Sequence, residues 1–323
     1  MKHIFIINPI AGNKKADNVI PKIESYFKTH GGSYEIVFSE YAHHATDIAR
    51  EFCKTGEQLR IYACGGDGTL FDVLNGAVGY DNAEVGVIPC GSGNDFLKTY
   101  SDFDSFYDIA GQVNGSSVPT DLIKFEDKYS INICSMGLDA EVVNHKNHMR
   151  FLTKISGSFA YTFSVFTAFL FNIRNRFTVT VDDEEPIKGD FLFTVAANGK
   201  FYGGGYMPAP DASTTDGLMD VVLIKTVSRL RILTLLGKYR RGEHIHITDL
   251  CKIKLAKKLV VEGEKEMSVN LDGEIFRRNK AVFEIVEDAV KFIVPSVVTV
   301  KDPEFSDKNK RKNQKTAVAL DVE

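Results

Sequence analysis

Over the first hundred residues of the chain, apolar positions recur with two different periodicities, one typical of strands and one typical of helices. Short apolar runs, which predict β-strands, lie at His3–Ile7, Tyr34–Phe38, Leu59–Cys64 and Glu84–Ile88. The segments between them carry apolar residues at helical spacing, which predicts helices at Ala16–His30, Ala45–Thr55 and Leu70–Val78. Strands that alternate with helices indicate a parallel sheet with helices on both faces. We therefore expect an α/β N-terminal domain over residues 1–116.

From about Ser117 the pattern changes to short strand-like segments separated by turns: Ser117–Phe125, Lys128–Met136, Phe177–Asp182, Phe191–Asn198, Met219–Lys225, Cys251–Ala256, Met267–Leu271 and Ala281–Glu287. Such a series predicts a mostly antiparallel β-sandwich over residues 117–290. Two helical insertions are expected near 153–173 and 227–240. Lys291–Pro295 predicts a strand that returns to the first domain within residues 291–300. Residues 301–323 lose the apolar periodicity, which is typical of a disordered polar tail.

Composition narrows the class of protein. The chain has 323 residues, 44% of them hydrophobic and 25% charged, as in a globular protein long enough for two domains. Its formal net charge of −4 argues against a general nucleic-acid-binding protein. The five cysteines are scattered without a Cys-x-x-Cys spacing, so we expect neither a zinc site nor a disulfide framework. A reducing, cytoplasmic location fits this usage of cysteine.

One uncharged segment, Ile155–Ile173, has nearly the length of a membrane-spanning helix. It also contains several polar residues, which disfavour insertion into a bilayer. Phe159, Phe163, Phe166 and Leu170 recur at helical spacing. A helix buried in the protein is therefore preferred to a membrane span.

The run from Cys64 to Leu70 places a tight glycine turn directly after an apolar strand. Glycines at positions 65, 66 and 68 leave room for backbone N–H groups to approach an anion closely, and the following helix, with Thr69 as its expected cap, adds partial positive charge. Asp67 is unusual in a phosphate cradle, because a carboxylate is repelled there unless a metal ion or a reacting hydroxyl accounts for it. An ordinary strand–turn–helix corner is the alternative.

Two further polar loops follow predicted strands. Pro89–Phe96 contains Ser92 between two glycines, where its hydroxyl is suited to bonding a phosphate oxygen. Asn8–Lys14 offers an amide, a glycine and a lysine. A helix cap and a turn, respectively, are the alternatives. Because ligands bind beyond the carboxyl ends of parallel strands, we expect these loops to converge with Gly65–Thr69 on one crevice.

Five motifs occur in a fixed order across residues 2–300, and together they resemble the diacylglycerol kinase catalytic-domain family, which includes bacterial soluble diacylglycerol kinases and the sphingosine and ceramide kinases. The residues that carry the resemblance are Asn8-Pro9-x-x-Gly12, Gly65-Gly66-Asp67-Gly68-Thr69, Pro89-x-Gly91-Ser92-Gly93-Asn94-Asp95-Phe96, the set Asn198, Gly203–Gly205, Pro208, Pro210, Ala212, Asp216 and Gly217, and Asp272-Gly273-Glu274. One position departs from the pattern. Relatives often carry Asn-Glu after Gly-Thr-x, whereas this chain has Phe71 and Asp72.

The resemblance implies a two-domain, ATP- and Mg²⁺-dependent lipid kinase with a fold like that of the NAD and diacylglycerol kinases. The ATP contacts that it implies are Asn8, Pro9, Gly12, Asn13, Thr46, Gly65, Gly66, Asp67, Gly68, Thr69 and Ser92. Thr46 has an equal alternative as a helix cap. Asp67 is expected to join a metal-and-water network near the transferred phosphate.

The resemblance also implies a structural Mg²⁺ site formed by Ser213, Asp216 and Leu218 in the second domain. It places a general base for the lipid hydroxyl in the late acidic turn. We expect Asp272 to be this base, with Glu274 as the close competitor.

The expected reaction converts diacylglycerol to phosphatidic acid, and the alternatives are another lipid such as a sphingoid base or monoacylglycerol, NAD, or an inactive nucleotide-sensing protein. Residues 225–258 carry ten basic and two acidic side chains, a local charge of +8. This segment is expected to make transient contact with the inner, anionic face of a membrane. The alternative is a basic surface that is exposed only to solvent. A free strand edge in the second domain is compatible with a homodimer.

Overall fold

In the part of the chain that the computed structural model describes, residues 1–13, 18–91, 93–138, 140–141 and 174–296, thirteen strands form one hydrogen-bonded sheet. The strands are β1 Lys2–Ile7, β2 Ser33–Phe38, β3 Leu59–Gly65, β4 Ala83–Pro89, β5 Ser116–Phe125, β6 Lys128–Ser130, β7 Ile133–Gly137, β8 Asn175–Val181, β9 Ile187–Ala197, β10 Met219–Lys225, β11 Cys251–Ala256, β12 Lys258–Leu271 and β13 Glu274–Val294. The described α-helices are α1 Ile20–His30, α2 His44–Lys54, α3 Asp67–Ala77, α4 Ile109–Val113 and α5 Arg229–Arg240. Short 3-10 helices lie at Ala11–Asn13, Phe96–Thr99, Phe103–Tyr107 and Glu243–His246.

The N-terminal half is a parallel sheet in the order β2-β1-β3-β4 with helices on both faces. Side chains alternate across β1: Ile4 and Ile6 pack in a cluster with residues of α2 and α3, while Phe5 and Ile7 pack in a second cluster with residues of α1. This period of two is what a strand buried on both faces requires. The predicted α/β architecture is therefore confirmed.

The second half is antiparallel and continues the same sheet. Beyond β4 the order is β13, β12, β7, β9, β10 and β11; β5 pairs with β13 and β6, and β8 pairs with β12 and β9. Successive residues of β10 face different clusters, since Val221 and Leu223 lie in one and Val222 and Ile224 in the other. The predicted antiparallel sandwich is confirmed as a fold class.

Several strand predictions were wrong in their bounds. β12 spans Lys258–Leu271, whereas the sequence predicts only Met267–Leu271. β13 is a single strand of 21 residues, whereas the sequence predicts two segments, Ala281–Glu287 and Lys291–Pro295. A register shift between Val286 and Val290 accommodates the polar stretch between them. The end of β13 pairs in parallel with β4, at Lys291 opposite Glu84, so this strand joins the two halves.

The segment Lys128–Met136, in contrast, is predicted as one strand and forms two, β6 and β7. The break falls at residues 131–132, where the N–H of Ile131 and that of Ile133 donate to the carboxylate of Asp272 rather than to a neighbouring strand. A tertiary contact therefore ends the strand.

Several predictions lie outside the described residues: the helix at Ile155–Ile173, the polar tail 301–323, and the position of Ser92. The start predicted for the first helix, Ala16, is also outside, and α1 is described from Ile20. None of the described helices combines the length and the apolarity that crossing a bilayer requires. All five cysteines lie among the described residues, where they are buried and form no disulfide bond.

Candidate functional site

Three loops meet at the carboxyl edge of the parallel sheet. β3 pairs with both neighbours at this level, with Cys64 opposite Ile7 and Gly65 opposite Pro89. The N–H of Cys90 donates to the carbonyl of Gly65 at 2.7 Å. The N–H of Asn8 donates to the carbonyl of Cys64 at 3.1 Å. The loops after β1, β3 and β4 are thus hydrogen-bonded to one another at one edge.

Glycines are required where the second and third loops touch. A Cβ atom on Gly91 would lie 2.5 Å from the Cα of Gly66, closer than real Cβ contacts allow. A Cβ on Gly65 would lie 2.1 Å from the hydroxyl oxygen of Thr69. Both substitutions therefore require backbone or side-chain movement at the start of α3.

The helix α3 begins at Asp67, with Gly66 as its N-cap and no side-chain cap. Thr69 is buried in the first turn, where its hydroxyl accepts a hydrogen bond from the Asn8 side-chain amide at 3.2 Å, so the expectation that it caps the helix was wrong. The side-chain oxygen of Asn8 accepts from the N–H of Ile10 at 3.2 Å. The first-turn N–H groups of a helix without a side-chain cap form a site for an anion.

Asp67 lies between these loops with its carboxylate turned inward. The N–H groups of Asp95 and Phe96 hydrogen-bond it, and a Cβ on Gly93 would lie 2.8 Å from its Oδ2. Burial, and then repulsion from Asp95 and Asp272, raise the pKa of Asp67 to about 7. Carboxylates from both halves of the sheet therefore act on one another here.

Mg²⁺ fits this arrangement. It is commonly held by one or two carboxylates together with phosphate oxygens and water, rather than by a cage of protein ligands. Among the described residues no group of three His, Cys, Asp or Glu side chains is arranged to hold a metal ion. The repulsion felt by Asp67 is what a cation beside it would relieve.

Asp272 and Gly273 form the two-residue turn between β12 and β13, with φ angles of 49° and 103°. Asp-Gly is suited to such a turn because both positions require positive φ. The Asp272 carboxylate accepts hydrogen bonds from the Ser130 hydroxyl at 2.7 Å, the N–H of Ile133 at 2.8 Å and the N–H of Ile131 at 2.9 Å. Burial raises its pKa to about 6, and these hydrogen bonds oppose the rise.

Glu274 is the first residue of β13 and lies beside the start of α3. A Cβ on Gly68 would be 3.8 Å from its Oε1. None of the described residues hydrogen-bonds its carboxylate, and burial raises its pKa. The two carboxylates of the turn therefore differ: the oxygens of Asp272 are engaged by donors, and those of Glu274 are available as acceptors.

The two residues that depart from the family pattern have separate structural roles. Phe71 is 3% exposed and packs in the cluster that contains Ile123 and Phe125 of the antiparallel half. Oδ1 of Asp72 accepts a hydrogen bond from Nδ1 of His43 at 2.8 Å, and this contact raises the pKa of His43. Sequence reasoning missed His43, whose positive φ of 64° gives no local signal in the sequence.

Thr46 lies inside α2, whose N-cap is His43, so the alternative role of helix cap is wrong. Its hydroxyl donates to the Asp72 carbonyl at 2.9 Å and links α2 to α3. The remaining residues expected to bind ATP in the first loop are Pro9, Gly12, which has a φ of 57°, and Asn13.

The loop after Ala212 holds the residues of the expected second metal site, Ser213, Asp216 and Leu218. Asp216 accepts from the N–H of Leu218 at 3.1 Å. The neighbouring Asp121 accepts from Gly217 N–H at 2.7 Å, and burial together with the charge of Asp216 raises its pKa to about 6. A carbonyl-rich loop with clustered carboxylates has the hard oxygens that Mg²⁺ prefers. Asp121 was missed, and its only sequence signal is a lone carboxylate within an apolar strand.

A glycine loop of the second half closes the other side of the site. The N–H of Gly204 donates to Oδ2 of Asp95 at 2.7 Å, and Lys98 forms an ion pair with the same carboxylate. Asp95 is the N-cap residue of the 3-10 helix Phe96–Thr99, but its side chain makes no cap hydrogen bond and instead joins the two halves.

With this geometry established, family models identify both halves. The model of the diacylglycerol kinase catalytic domain matches residues 2–125, and that of the YegS C-terminal NAD kinase beta sandwich-like domain matches residues 132–294. The chain belongs to the diacylglycerol kinase catalytic-domain family. Members of this family are kinases, which use ATP as the phosphoryl donor.

Individual relatives cover most of the chain. A probable lipid kinase of the YegS type from Shewanella frigidimarina is 29% identical over 243 residues, 73% of this chain and 76% of that protein. A candidate lipid kinase from Staphylococcus aureus strain JH9 is 26% identical over 235 residues, 72% of this chain and 76% of that protein.

Solved structures agree with the fold. A candidate diacylglycerol kinase from Bacillus anthracis strain Sterne superposes with a TM-score of 0.73 at 21% identity and covers 92% of this chain and 96% of its own. A second diacylglycerol kinase structure from the same strain gives a TM-score of 0.69 at 18% identity, with 92% and 98% covered. At these identities the likeness concerns the fold alone.

Proposed function

We propose that the protein transfers the γ-phosphate of ATP to the hydroxyl of a lipid, and that this lipid is diacylglycerol, which becomes phosphatidic acid. The observation that carries the proposal is the position of Glu274 beside Gly68. There a carboxylate available as an acceptor lies at the glycine-rich start of a helix. Family membership and the lipid kinases among the relatives support a lipid as the acceptor.

The donor half of the site is the carboxyl edge of the parallel sheet. The glycine turns admit the triphosphate close to backbone N–H groups, and the start of α3 offers further N–H groups to the phosphates. Asp67 is the residue that would hold Mg²⁺ here, and the ion would offset the charge of the transferred phosphoryl group. Asp95, fixed by Lys98 and Gly204, keeps the loop after β4 against Asp67.

The acceptor half of the site is the β12–β13 turn. We assign Glu274 as general base: it takes the proton of the lipid hydroxyl as that oxygen attacks the γ-phosphorus, and ADP leaves with the electrons of the broken P–O bond. Its raised pKa, a consequence of burial, makes it a better proton acceptor than an ordinary glutamate. Asp272, the base first expected, acts as a positioning residue, since its oxygens hold Ser130, Ile131 and Ile133.

The second Mg²⁺ site and the assembly belong to the same proposal. Ser213, Asp216 and Leu218 would hold a structural ion in the loop that Asp121 anchors. In the described antiparallel half, β11 and the short β6 each pair with one strand only, and the longer β11 is the edge through which a homodimer would pair. Contact with an anionic membrane follows from the need to reach a lipid substrate.

Transfer of labelled γ-phosphate from ATP, with Mg²⁺ present, tests the function. The acceptors are diacylglycerol, monoacylglycerol, sphingosine, ceramide and NAD, the lipids being offered in mixed micelles with anionic lipid. We expect labelled phosphatidic acid, and no product from the variant Asp67→Asn. The matched control is Asp104→Asn, which changes an exposed carboxylate outside the site.

A labelled product other than phosphatidic acid would change the assigned phosphoryl acceptor. Label in a sphingoid or monoacyl product keeps the lipid kinase and replaces diacylglycerol as substrate. Label in NADP, with none in any lipid, overturns the lipid assignment.

A further inference from the structure

The helix α5 turns one face to the protein and the other to solvent. Ile232 is buried, and Leu235 and Tyr239 pack against the cluster on the outer face of the antiparallel half. On the opposite side Leu230 is 78% exposed and Leu233 is 51% exposed, more than any other leucine among the described residues. With Gly237 they follow the i, i+3, i+7 spacing of a single helical face. We call this the outer face of α5.

Basic residues flank the outer face. Arg231 and Arg241 have acidic partners, Asp249 at 2.9 Å and Glu243 at 2.6 Å. Lys238 and Arg240 are exposed and form no ion pair with any described residue, and Arg240 lies 6.0 Å from the ring of Tyr206. An exposed apolar face bordered by cations that form no ion pair within the described part of the chain is complementary to an anionic bilayer, which offers hydrocarbon below a layer of phosphates.

The position of α5 connects this face to the site. The hydroxyl of Tyr239 lies 2.8 Å from that of Tyr202, and Tyr202 and Tyr206 bracket the Gly203–Gly205 loop through paired backbone hydrogen bonds. The same loop bonds Asp95, which acts directly on Asp67. The helix therefore lies one loop away from the proposed phosphoryl-transfer site.

We propose that the outer face of α5 is a membrane-docking surface, with Leu230 and Leu233 inserted among the acyl chains of an anionic bilayer and Lys238 and Arg240 on its phosphates. The proposal rests on the proposed function in that docking brings a lipid acceptor to the site. A second copy of the chain is less suited to bind this face. If two outer faces paired, Lys238 and Arg240 of one copy would lie close to the same cations of the other.

Flotation with lipid vesicles tests the surface directly, without turnover. Vesicles are prepared from phosphatidylcholine alone and from equal parts of phosphatidylcholine and phosphatidylglycerol. We expect the wild-type protein to float with the mixed vesicles only. The double variants Leu230→Ser/Leu233→Ser and Lys238→Glu/Arg240→Glu should each partition at least about tenfold more weakly.

Two matched controls change the same chemistry elsewhere on the surface. Ile253→Ser removes an exposed apolar side chain from β11, and Lys188→Glu/Lys265→Glu reverses two exposed charges on β9 and β12. Both should float like the wild type. Equal flotation of the wild type and the two α5 variants would overturn the docking surface. The docking surface would also be overturned if the molar mass in solution rose from that of a monomer to that of a dimer with increasing protein concentration in the wild type but not in Leu230→Ser/Leu233→Ser. That result would assign the outer face to a second copy of the chain.

A second measurement separates docking from catalysis. Phosphorylation of a short-chain diacylglycerol in monomeric solution requires no membrane, so kcat/KM on this acceptor should be equal in the wild type and the α5 variants. On vesicle-borne diacylglycerol the same variants should lose activity in proportion to their lost partition. A wild-type protein that floats but phosphorylates no acceptor supports docking while the proposed function fails.

Discussion

The two carboxylates of the β12–β13 turn differ in their surroundings although they stand two residues apart. Asp272 meets three hydrogen-bond donors, and Glu274 meets none among the described residues. A base must keep a lone pair free for the substrate proton. The difference in hydrogen bonding thus assigns the two residues different roles in the proposed reaction.

Replacing Glu274 by Gln should lower kcat by about 10²–10⁴-fold, because the amide cannot accept the hydroxyl proton. The Tm and the Kd for ATP should stay near their wild-type values. Asp272→Asn should instead lower the Tm, since an amide cannot accept from all three donors around it. Steady-state kinetics and calorimetry measure both effects, with Glu264→Gln on an exposed part of β12 as control. Full turnover in Glu274→Gln would contradict its assignment as base.

The raised pKa of Asp67 predicts how the stability of the folded protein depends on pH. Its pKa is raised from 3.8 to about 7 by burial, then by Asp95 and Asp272. The folded protein therefore holds a proton that the unfolded chain releases. The stability that this group contributes is complete below about pH 4 and is lost as pH rises through about 7.

Without Mg²⁺, the Tm of the wild type should fall relative to that of Asp67→Asn between about pH 4 and pH 7, by the equivalent of a few kcal/mol, at about 1.4 kcal/mol for each pKa unit. Differential scanning calorimetry across this range measures it. The control variant is Asp104→Asn, which removes an exposed carboxylate outside the site. A difference between the wild type and Asp67→Asn that stays constant across this pH range would show that the pKa of Asp67 is not raised.

At the scale of elements, the site depends on how closely the loops after β3 and β4 approach. Gly91→Ala places a Cβ 2.5 Å from the Cα of Gly66, and because that neighbour is backbone, the loop itself must move. Overpacking of this kind costs about 1–3 kcal/mol. Because ATP binding requires the loop to return to its strained position, the Kd for ATP should rise by the same free energy, about 5- to 150-fold. Isothermal titration calorimetry measures this loss.

Gly189→Ala is the matched control for the loop substitution, since its Cβ meets only the ring of Phe191 at an ordinary 3.6 Å. Circular dichroism should show that both variants keep their secondary structure. Unchanged ATP affinity in Gly91→Ala would mean that the contact between the two loops does not shape the nucleotide site.

At the scale of the whole molecule, the loop at Ser213–Leu218 lies at the junction of distant strands. Asp121 of β5 accepts from Gly217 N–H and from Asp288 N–H, the latter at 2.9 Å within β13. Because burial and neighbouring carboxylates raise the pKa of Asp121, a cation in this loop would stabilise the folded state.

Mg²⁺ should therefore raise the Tm of the wild type and leave that of Asp216→Asn unchanged. A ligand at a hundred times its Kd adds about 2.7 kcal/mol to the free energy of unfolding. The experiment uses thermal unfolding without ATP, so it is independent of turnover. Asp183→Asn, which changes an exposed carboxylate in the β8–β9 turn, is the control. An equal Mg²⁺ response in the wild type and Asp216→Asn would contradict the proposed ion site.

The sequence by itself determined the parallel half of the fold and the edge at which its loops converge. Strand periodicity is local, and strands that alternate with helices predict a parallel sheet. The loops that contain Asn8, Gly65 and Gly91 were therefore predicted to converge at one edge, whereas the order of the strands was not predicted. The bounds of β10 and β11 were also correct. Local signals of this kind are carried by neighbouring residues and need no tertiary contact.

Only the tertiary structure decided the roles that depend on residues far apart in the chain. Asp272 breaks the strand at residues 131–132 from 139 or more positions away, and Phe71 is apolar because α3 packs against the second half. His43 meets Asp72 through a backbone conformation that its residue type rarely adopts. Hydrogen-bond partners and burial are properties of the assembled fold, so the sequence named both acidic residues of the turn but only their surroundings distinguished them.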